Sequence, residues 1–131
     1  MELTGYDHVN LAMPANEQDK ARTFYGGVLG LTELKKPDVI AGRGTLWFGG
    51  DHVTVHLGVE DGFRPARRAH PAFRVKGLEE LRLACEAAGH ETIVDHNIPG
   101  WDRFFVYDPF GNRIECMEQI EGRSGAKHCN H

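Results

Sequence analysis

Cysteine, long apolar runs and excess positive charge are all scarce in this chain of 131 residues. Its three cysteines, Cys85, Cys116 and Cys129, form no Cys-x-x-Cys pair, so neither a disulfide framework nor a thiolate zinc site is expected. No apolar stretch approaches the roughly 18 residues of a membrane span, and the first residues lack the pattern of a signal peptide. The 15 Lys and Arg residues against 19 Asp and Glu give a net charge of −4, without a basic stripe that would indicate nucleic acid or membrane binding. We therefore expect a cytoplasmic globular protein that binds neither nucleic acid nor membranes.

The order of the predicted elements repeats along the chain. Residues 1–59 contain a strand, a helix and three short strands, and residues 70–121 contain the same order again. Residues 60–69 are polar and are predicted to form a linker, and residues 122–131 a polar tail. The predicted helix ends Gly30 and Gly89 differ by 89 − 30 = 59 positions, and His56 and Glu115 differ by 115 − 56 = 59. These offsets predict an internal duplication.

Each half has a predicted helix with one apolar stripe. In the first half we expect Asn16 to cap the helix and the pair Gly26-Gly27 to weaken its last turn. The stripes consist of Ala21, Phe24, Tyr25 and Val28 in the first helix, and Leu78, Leu81, Cys85 and Ala88 in the second.

Eight histidines are the unusual feature of the composition, and three of them occupy informative positions. His8 and His70 each begin the first strand of a half, whereas His56 and Glu115 each lie in a last strand, between apolar neighbours. Strand alternation turns these four side chains away from the apolar face, so we expect them to face a shared concave surface. Imidazoles with one carboxylate predict a site for zinc, iron, nickel or manganese. We assign no function to His52, His90, His128 and His131, and leave His96 open.

Four motifs in this order resemble the vicinal oxygen chelate superfamily, over about Tyr6 to Glu118. They are Ala21-x-x-Phe24-Tyr25, Leu29-Gly30-Leu31, His70-Pro71-Ala72-Phe73 and Asp108-Pro109-Phe110-Gly111-Asn112-Arg113-Ile114-Glu115. This superfamily includes glyoxalases, extradiol dioxygenases, fosfomycin-modifying thiol transferases, methylmalonyl-CoA epimerases and bleomycin-resistance proteins. The resemblance implies an α+β fold of paired βαβββ modules, with curved mixed sheets around a cleft, helices on the outer faces, and a homodimer.

The resemblance also implies one divalent metal ion, with ligands at His8, His70 and Glu115. The fourth position of the family falls on His56, where glyoxalases and the epimerases typically have glutamate. His56 is therefore predicted to be a fourth ligand, a catalytic base or a structural residue. His56 and Glu115 are the candidate catalytic residues; a base at position 56 is conceivable because the histidine pKa lies near neutrality.

Further polar and aromatic side chains are predicted to line a substrate pocket. Arg103, Phe105 and Tyr107 share one strand face, Arg74 and Arg113 share faces with His70 and Glu115, and Trp47 is a candidate pocket wall. An arginine beside a metal suits a carboxylate or phosphate of a substrate, although a solvated arginine is equally consistent with the pattern.

The expected function is a glyoxalase-like metal-dependent lyase or isomerase acting on a small oxygenated molecule. One alternative is a non-catalytic protein of the bleomycin-resistance type that binds small molecules or drugs. A second is an iron-dependent ring-cleaving dioxygenase. Extradiol dioxygenases and the fosfomycin enzymes both carry a tyrosine where this chain has Phe105, and neither group matches well. The sequence leaves open the substrate and the identity of the metal. It also leaves open whether the modules pair within one chain or between chains.

Overall fold

The computed structural model of the protein describes residues 1–120, so the predicted tail at 122–131, with Cys129, His128 and His131, lies outside the described residues. The chain divides into two compact units, Met1–Pro65 and the residues from Ala66 onwards. This division falls inside the segment 60–69 that the sequence predicts to be a linker. Within residues 1–120 no helix has the length and apolar character needed to cross a membrane.

The first unit contains one four-stranded mixed sheet with strand order β1-β4-β3-β2. Strands β1 and β4 are parallel, and the other neighbours are antiparallel. Its elements are β1 (Val9–Met13), helix α1 (Gln18–Ala21) continuing as a π-helix (Arg22–Val28), β2 (Thr32–Leu34), a 3-10 helix (Asp38–Arg43), β3 (Leu46–Gly49) and β4 (Thr54–Val59).

The second unit repeats this topology, with strand order β5-β8-β7-β6 and parallel pairing only between β5 and β8. Its elements are β5 (Ala72–Arg74), α2 (Leu78–Ala87), β6 (Thr92–Asp95), β7 (Trp101–Tyr107) and β8 (Arg113–Gln119). The predicted α+β fold of two βαβββ modules is therefore confirmed.

Strand register gives His56 and Glu115 the same place in their respective sheets. His56 on β4 lies opposite Asn10 on β1 and Trp47 on β3. Glu115 on β8 lies opposite Ala72 on β5 and Phe105 on β7. The offset of 59 positions in the sequence thus corresponds to an equivalent position in the fold.

Both predicted helix stripes contribute to apolar cores. In the first unit Ala21, Phe24 and Tyr25 are fully buried, and the Tyr25 ring stacks on Phe48 of β3 at 5.7 Å between centroids. In the second unit Leu78 and Cys85 of α2 are buried, together with side chains of β7 and β8. Burial raises the pKa of the Cys85 thiol to about 11, because a low-polarity environment disfavours the thiolate.

The start of the first helix differs from the prediction. Asn16 is not a helix cap: it adopts a left-handed conformation with φ of 65°, which asparagine tolerates in turns, and the helix begins two residues later without a side-chain cap. The helix then widens into the π form, in which the Leu29 N–H donates to the carbonyl oxygen of Phe24 at 2.9 Å. Gly26-Gly27 lies in this segment. Because glycine has low helix propensity, a departure from α geometry costs little free energy there.

Two side-chain carboxylates organise the ends of β8. In the turn before β8, Asp108 accepts hydrogen bonds from the backbone N–H groups of Phe110 and Asn112 and from the Asn112 side-chain amide, at 2.8–2.9 Å. Near the end of the strand, Glu118 accepts hydrogen bonds from the N–H groups of Gly77 and Leu78, both at 3.0 Å. These two hydrogen bonds lower the pKa of Glu118 and cap α2 from a neighbouring strand.

Candidate functional site

Glu115 is a buried carboxylate with a partner on each oxygen. Its neighbours on β8, Ile114 and Cys116, face the apolar core, and strand alternation directs Glu115 to the opposite side. Its Oε1 lies 2.9 Å from Nε2 of His70, and its Oε2 accepts a hydrogen bond from Nε of Arg103 at 2.7 Å. The side chains of Glu115 and Arg103 are each 10% exposed, and that of His70 is 24% exposed.

The hydrogen bonds of His70 involve both of its ring nitrogens. Nδ1 lies 2.7 Å from the backbone carbonyl oxygen of Arg68, and because a carbonyl only accepts, Nδ1 must be the donor. Nε2 donates to Oε1 of the ionised Glu115 carboxylate at 2.9 Å, and a metal ion bound at Nε2 would replace that proton. Histidines that bind metals typically use one nitrogen in this way for a backbone carbonyl and leave the other for the ion.

Arg103 connects Glu115 to a second carboxylate. Its Nη1 donates to Oδ1 of Asp95 at 2.9 Å, and the two residues are register partners on β7 and β6. Burial raises the pKa of Glu115, but the hydrogen bonds from Arg103 and His70 outweigh burial and hold the pKa below its ordinary value. The sequence analysis does not identify Asp95 as a site residue. Its position as the last residue of β6 is the feature that could have indicated a role at the site.

These side chains border a cavity of about 550 Å³ in the second unit. Of the predicted pocket residues, Arg103, Phe105 and Arg113 line it, whereas Arg74 and Tyr107 are exposed and do not. The guanidinium carbon of Arg113 lies 4.2 Å from the centroid of the Phe105 ring. The complete lining consists of Arg68, Ala69, His70, Asp95, Arg103, Phe105, Arg113 and Glu115. Arg68 and Ala69 belong to the predicted linker, whose contribution the sequence did not indicate.

The first unit brings His8 and His56 together in an aromatic stack. The His56 ring lies between His8, at 3.9 Å and 21°, and Trp47, at 4.2 Å and 5°. Nδ1 of His8 is 2.8 Å from Oδ2 of Asp7, so it has an oxygen partner as Nδ1 of His70 does. The pKa of His56 is lowered, first by burial and then by its proximity to His8, with Asp7 acting in the opposite direction.

The four predicted ligands thus occur as two pairs, His8 with His56 in the first unit and His70 with Glu115 in the second. Searching residues 1–120 finds no group of three or more His, Cys, Asp or Glu side chains that could hold a metal ion. His90, to which no function was assigned, has its Nδ1 3.1 Å from the carbonyl oxygen of Tyr107, which is a structural role.

Comparison with known proteins places the chain in a family. The Glyoxalase/Bleomycin resistance protein/Dioxygenase superfamily matches residues 5–116. A crystal structure of a protein from Bacillus anthracis assigned to the glyoxalase family is similar at 44% identity and a TM-score of 0.87, over 92% of this chain and 98% of that chain.

More distant structures share the fold. The fosfomycin resistance protein FosX from Listeria monocytogenes, crystallised with Mn(II) and sulfate, has 15% identity and a TM-score of 0.75, over 99% of this chain and 100% of that chain. A glyoxalase/dioxygenase from Nostoc punctiforme has 22% identity and a TM-score of 0.66, over 86% and 90%. The search of curated proteins found no match. On the family match and the 44% identical structure, the chain belongs to the Glyoxalase/Bleomycin resistance protein/Dioxygenase superfamily, the vicinal oxygen chelate group.

Proposed function

We propose that this protein is a glyoxalase-like lyase or isomerase that uses one divalent metal ion and acts on a small oxygenated molecule. The observation that carries the proposal is the pair formed by His70 and Glu115: a histidine with Nδ1 committed to a carbonyl oxygen and Nε2 directed at a buried carboxylate. We further propose a homodimer, as the family resemblance implies, and a cytoplasmic location, as the sequence features predict.

The donor chemistry of the chain fits such an ion. Both His8 and His70 have Nδ1 within 2.8 Å of an oxygen atom, which leaves Nε2 of each as the nitrogen available to a metal. Glu115 supplies a carboxylate whose pKa is lowered by hydrogen bonds. Imidazole and carboxylate donors suit manganese, iron, nickel or zinc. We propose His8, His70 and Glu115 as the ligands, although the pairs belong to different units.

The orientation of its ring supports one of the possible roles of His56. The lone pair of an imidazole nitrogen lies in the plane of the ring, and the His8 and His56 planes are stacked with only 21° between them. Lone pairs that lie in two nearly parallel planes, one above the other, cannot both point at the same ion. This favours His56 as a base beside the site over a fourth ligand equal to His8, and the Trp47 ring on its other face holds it in position.

A bound divalent ion would supply Lewis-acid stabilisation of negative charge that develops on a substrate oxygen. The protein side chains perform the remaining tasks. A ring nitrogen of His56 accepts a proton from the substrate. Arg103 keeps Glu115 in its ionised form and fixes the direction of that carboxylate through the 2.7 Å hydrogen bond.

Metal analysis tests the proposal directly. Protein purified without added metal, then stripped with chelator and titrated with manganese, nickel, iron and zinc, should take up about one equivalent per chain. Glu115→Gln and His70→Ala should each weaken affinity at least about tenfold, while the matched control His52→Ala, at an exposed position, should leave it unchanged. Uptake below about a tenth of an equivalent for all four metals would contradict a metalloenzyme and favour the ligand-binding alternative.

Single substitutions separate the possible roles of His56. His8→Ala should reduce metal affinity strongly, whereas His56→Ala should reduce it much less and should abolish turnover. Equal losses of affinity in the two variants would make His56 a ligand instead. Unchanged affinity and unchanged turnover would make it a structural residue.

A further inference from the structure

The cavity of the second unit carries more positive than negative side chains. Three arginines line the cavity, but only two carboxylates do, Asp95 and Glu115. The cavity is therefore positive although the whole chain has a net charge of −4. Arg103 is already paired with both carboxylates. The positive excess therefore belongs to the other two arginines, Arg68 and Arg113.

Arg113 has hydrogen-bonding capacity that the described residues do not use. Its Nε is buried and has no hydrogen-bond partner within residues 1–120. A buried donor without an acceptor typically costs about 1–3 kcal/mol, and more for a charged group. Arginine cannot relieve this cost by losing its proton, since it stays charged at any physiological pH. The described residues therefore do not satisfy this guanidinium at Nε, and its outer N–H groups can take an acceptor from a ligand.

Phe105 contacts the guanidinium of Arg113 through its ring. The guanidinium carbon lies 4.2 Å from the ring centroid, within the distance of a cation–π contact. A cation–π contact of this kind does not use the N–H groups of the guanidinium as donors to oxygen, so they can still bind acceptors. Nε itself is covered by the protein, so we take the edge formed by the two Nη groups as the one open to a ligand; its two parallel donors match the two oxygens of a carboxylate or phosphonate.

We propose that Arg113 binds an oxyanion of the ligand in this cavity, with Arg68 as a second cation at the rim, so that the substrate is a small organic acid. Naming that ligand as the substrate rests on the proposed function; the anion site itself does not. Arg113 is a binding and specificity residue, and His70 and Glu115 in the same cavity would then face the part of the acid that reacts.

The experiment uses chelator-treated full-length protein, so that metal binding does not contribute. The ¹⁵N–¹H signals of the arginine Nε groups are recorded during titration with oxalate, methylphosphonate and the neutral analogue oxamide. The signal that disappears in Arg113→Lys identifies Arg113, and it should shift with oxalate, methylphosphonate or both, and not with oxamide. A response to oxalate alone indicates carboxylic acids as substrates, and a response to methylphosphonate alone indicates phosphonates.

Variants complete the test. Arg113→Met and Arg113→Lys should each weaken binding of the responding anion by about tenfold or more, because neither retains the paired donors. Arg43→Gln removes one positive charge at an exposed position outside the cavity and should change the affinity less than about twofold. If neither anion shifts the Arg113 signal, or if all three variants bind alike, the anion site is refuted. Metal uptake by the same samples reports separately on the proposed function.

Discussion

Arg103→Met is the substitution that most directly probes the ion network around Glu115. Arg103 bridges two carboxylates, with 2.7 Å to Glu115 and 2.9 Å to Asp95, and its side chain is only 10% exposed. Methionine retains much of the apolar stem and removes the charge and all five donors. Glu115 would then keep only His70 as a partner while remaining buried.

The expected loss of stability is large. Removing one partner of a buried ion pair costs about 3–5 kcal/mol, because the other charge stays desolvated. Asp95 is 24% exposed and can be partly rehydrated, so we expect the lower end of that range, about 3 kcal/mol. Urea unfolding of chelator-treated protein, followed by circular dichroism, should show this as a lower midpoint with an unchanged slope.

Arg22→Met is a matched control for this experiment. Arg22 also bridges two carboxylates, Glu33 at 2.8 Å and Asp19 at 3.3 Å, but its side chain is 47% exposed. Exposed ion pairs contribute at most about 1 kcal/mol, so the control should unfold near the wild-type midpoint. The double variant Arg103→Met/Glu115→Gln should recover part of the loss, since it no longer buries an unpaired carboxylate. If Arg103→Met were as stable as Arg22→Met, the network would not be desolvated and the reasoning would fail.

Three further outcomes follow from other contacts. Asp108→Ala should lower the free energy of unfolding by about 2–3 kcal/mol, because three donors in the β7–β8 turn lose their acceptor; Asp108→Asn should lose less in the same urea assay. Glu118→Gln should cost about 1 kcal/mol at pH 7 through the weakened cap of α2. Since the pKa of Glu118 is lowered in the folded protein, its stabilisation is present above the unfolded value of about 4.3 and is lost as the pH falls through the folded pKa, so wild type and Glu118→Gln should converge in stability below that lowered pKa. Cys85, buried and with a pKa of about 11, should react with a disulfide reagent at pH 8 only after unfolding.

The sequence predicted the fold and the facing of particular side chains because both depend on local periodicity. Val55 and Leu57 are fully buried and His56 between them is not, as alternation along a strand requires. The helix stripes were predictable for the same reason. The π-helical segment was not, because Gly26-Gly27 indicates a weak last turn but the apolar pattern does not show that the Leu29 N–H would bond to the carbonyl of Phe24, five residues back.

The partners of the site residues could not be predicted in the same way. Asp95 and Arg103 lie on two different strands separated by a loop. The residue pattern of the sequence does not show which residues of the two strands are paired. The acceptor for Nδ1 of His70 is the backbone carbonyl of Arg68. The side chains of the polar segment 60–69 therefore could not have indicated this contact. The candidate ligands were identifiable, but the groups that set their protonation and orientation became visible only in three dimensions.

The two equivalent positions, which carry histidine in one unit and glutamate in the other, have different neighbours, and those neighbours suit the residue at each position. Glu115 lies opposite Phe105, and two residues before Phe105 stands Arg103, which pairs with the carboxylate. His56 lies opposite Trp47, and two residues before Trp47 stands Thr45. A carboxylate at position 56 would therefore have no guanidinium at the equivalent place, whereas a neutral imidazole stacked on the indole needs none. The departure from the glutamate typical of glyoxalases and the change from arginine to threonine are thus parts of one difference between the halves. Of these two equivalent positions, only position 115 therefore supplies a carboxylate.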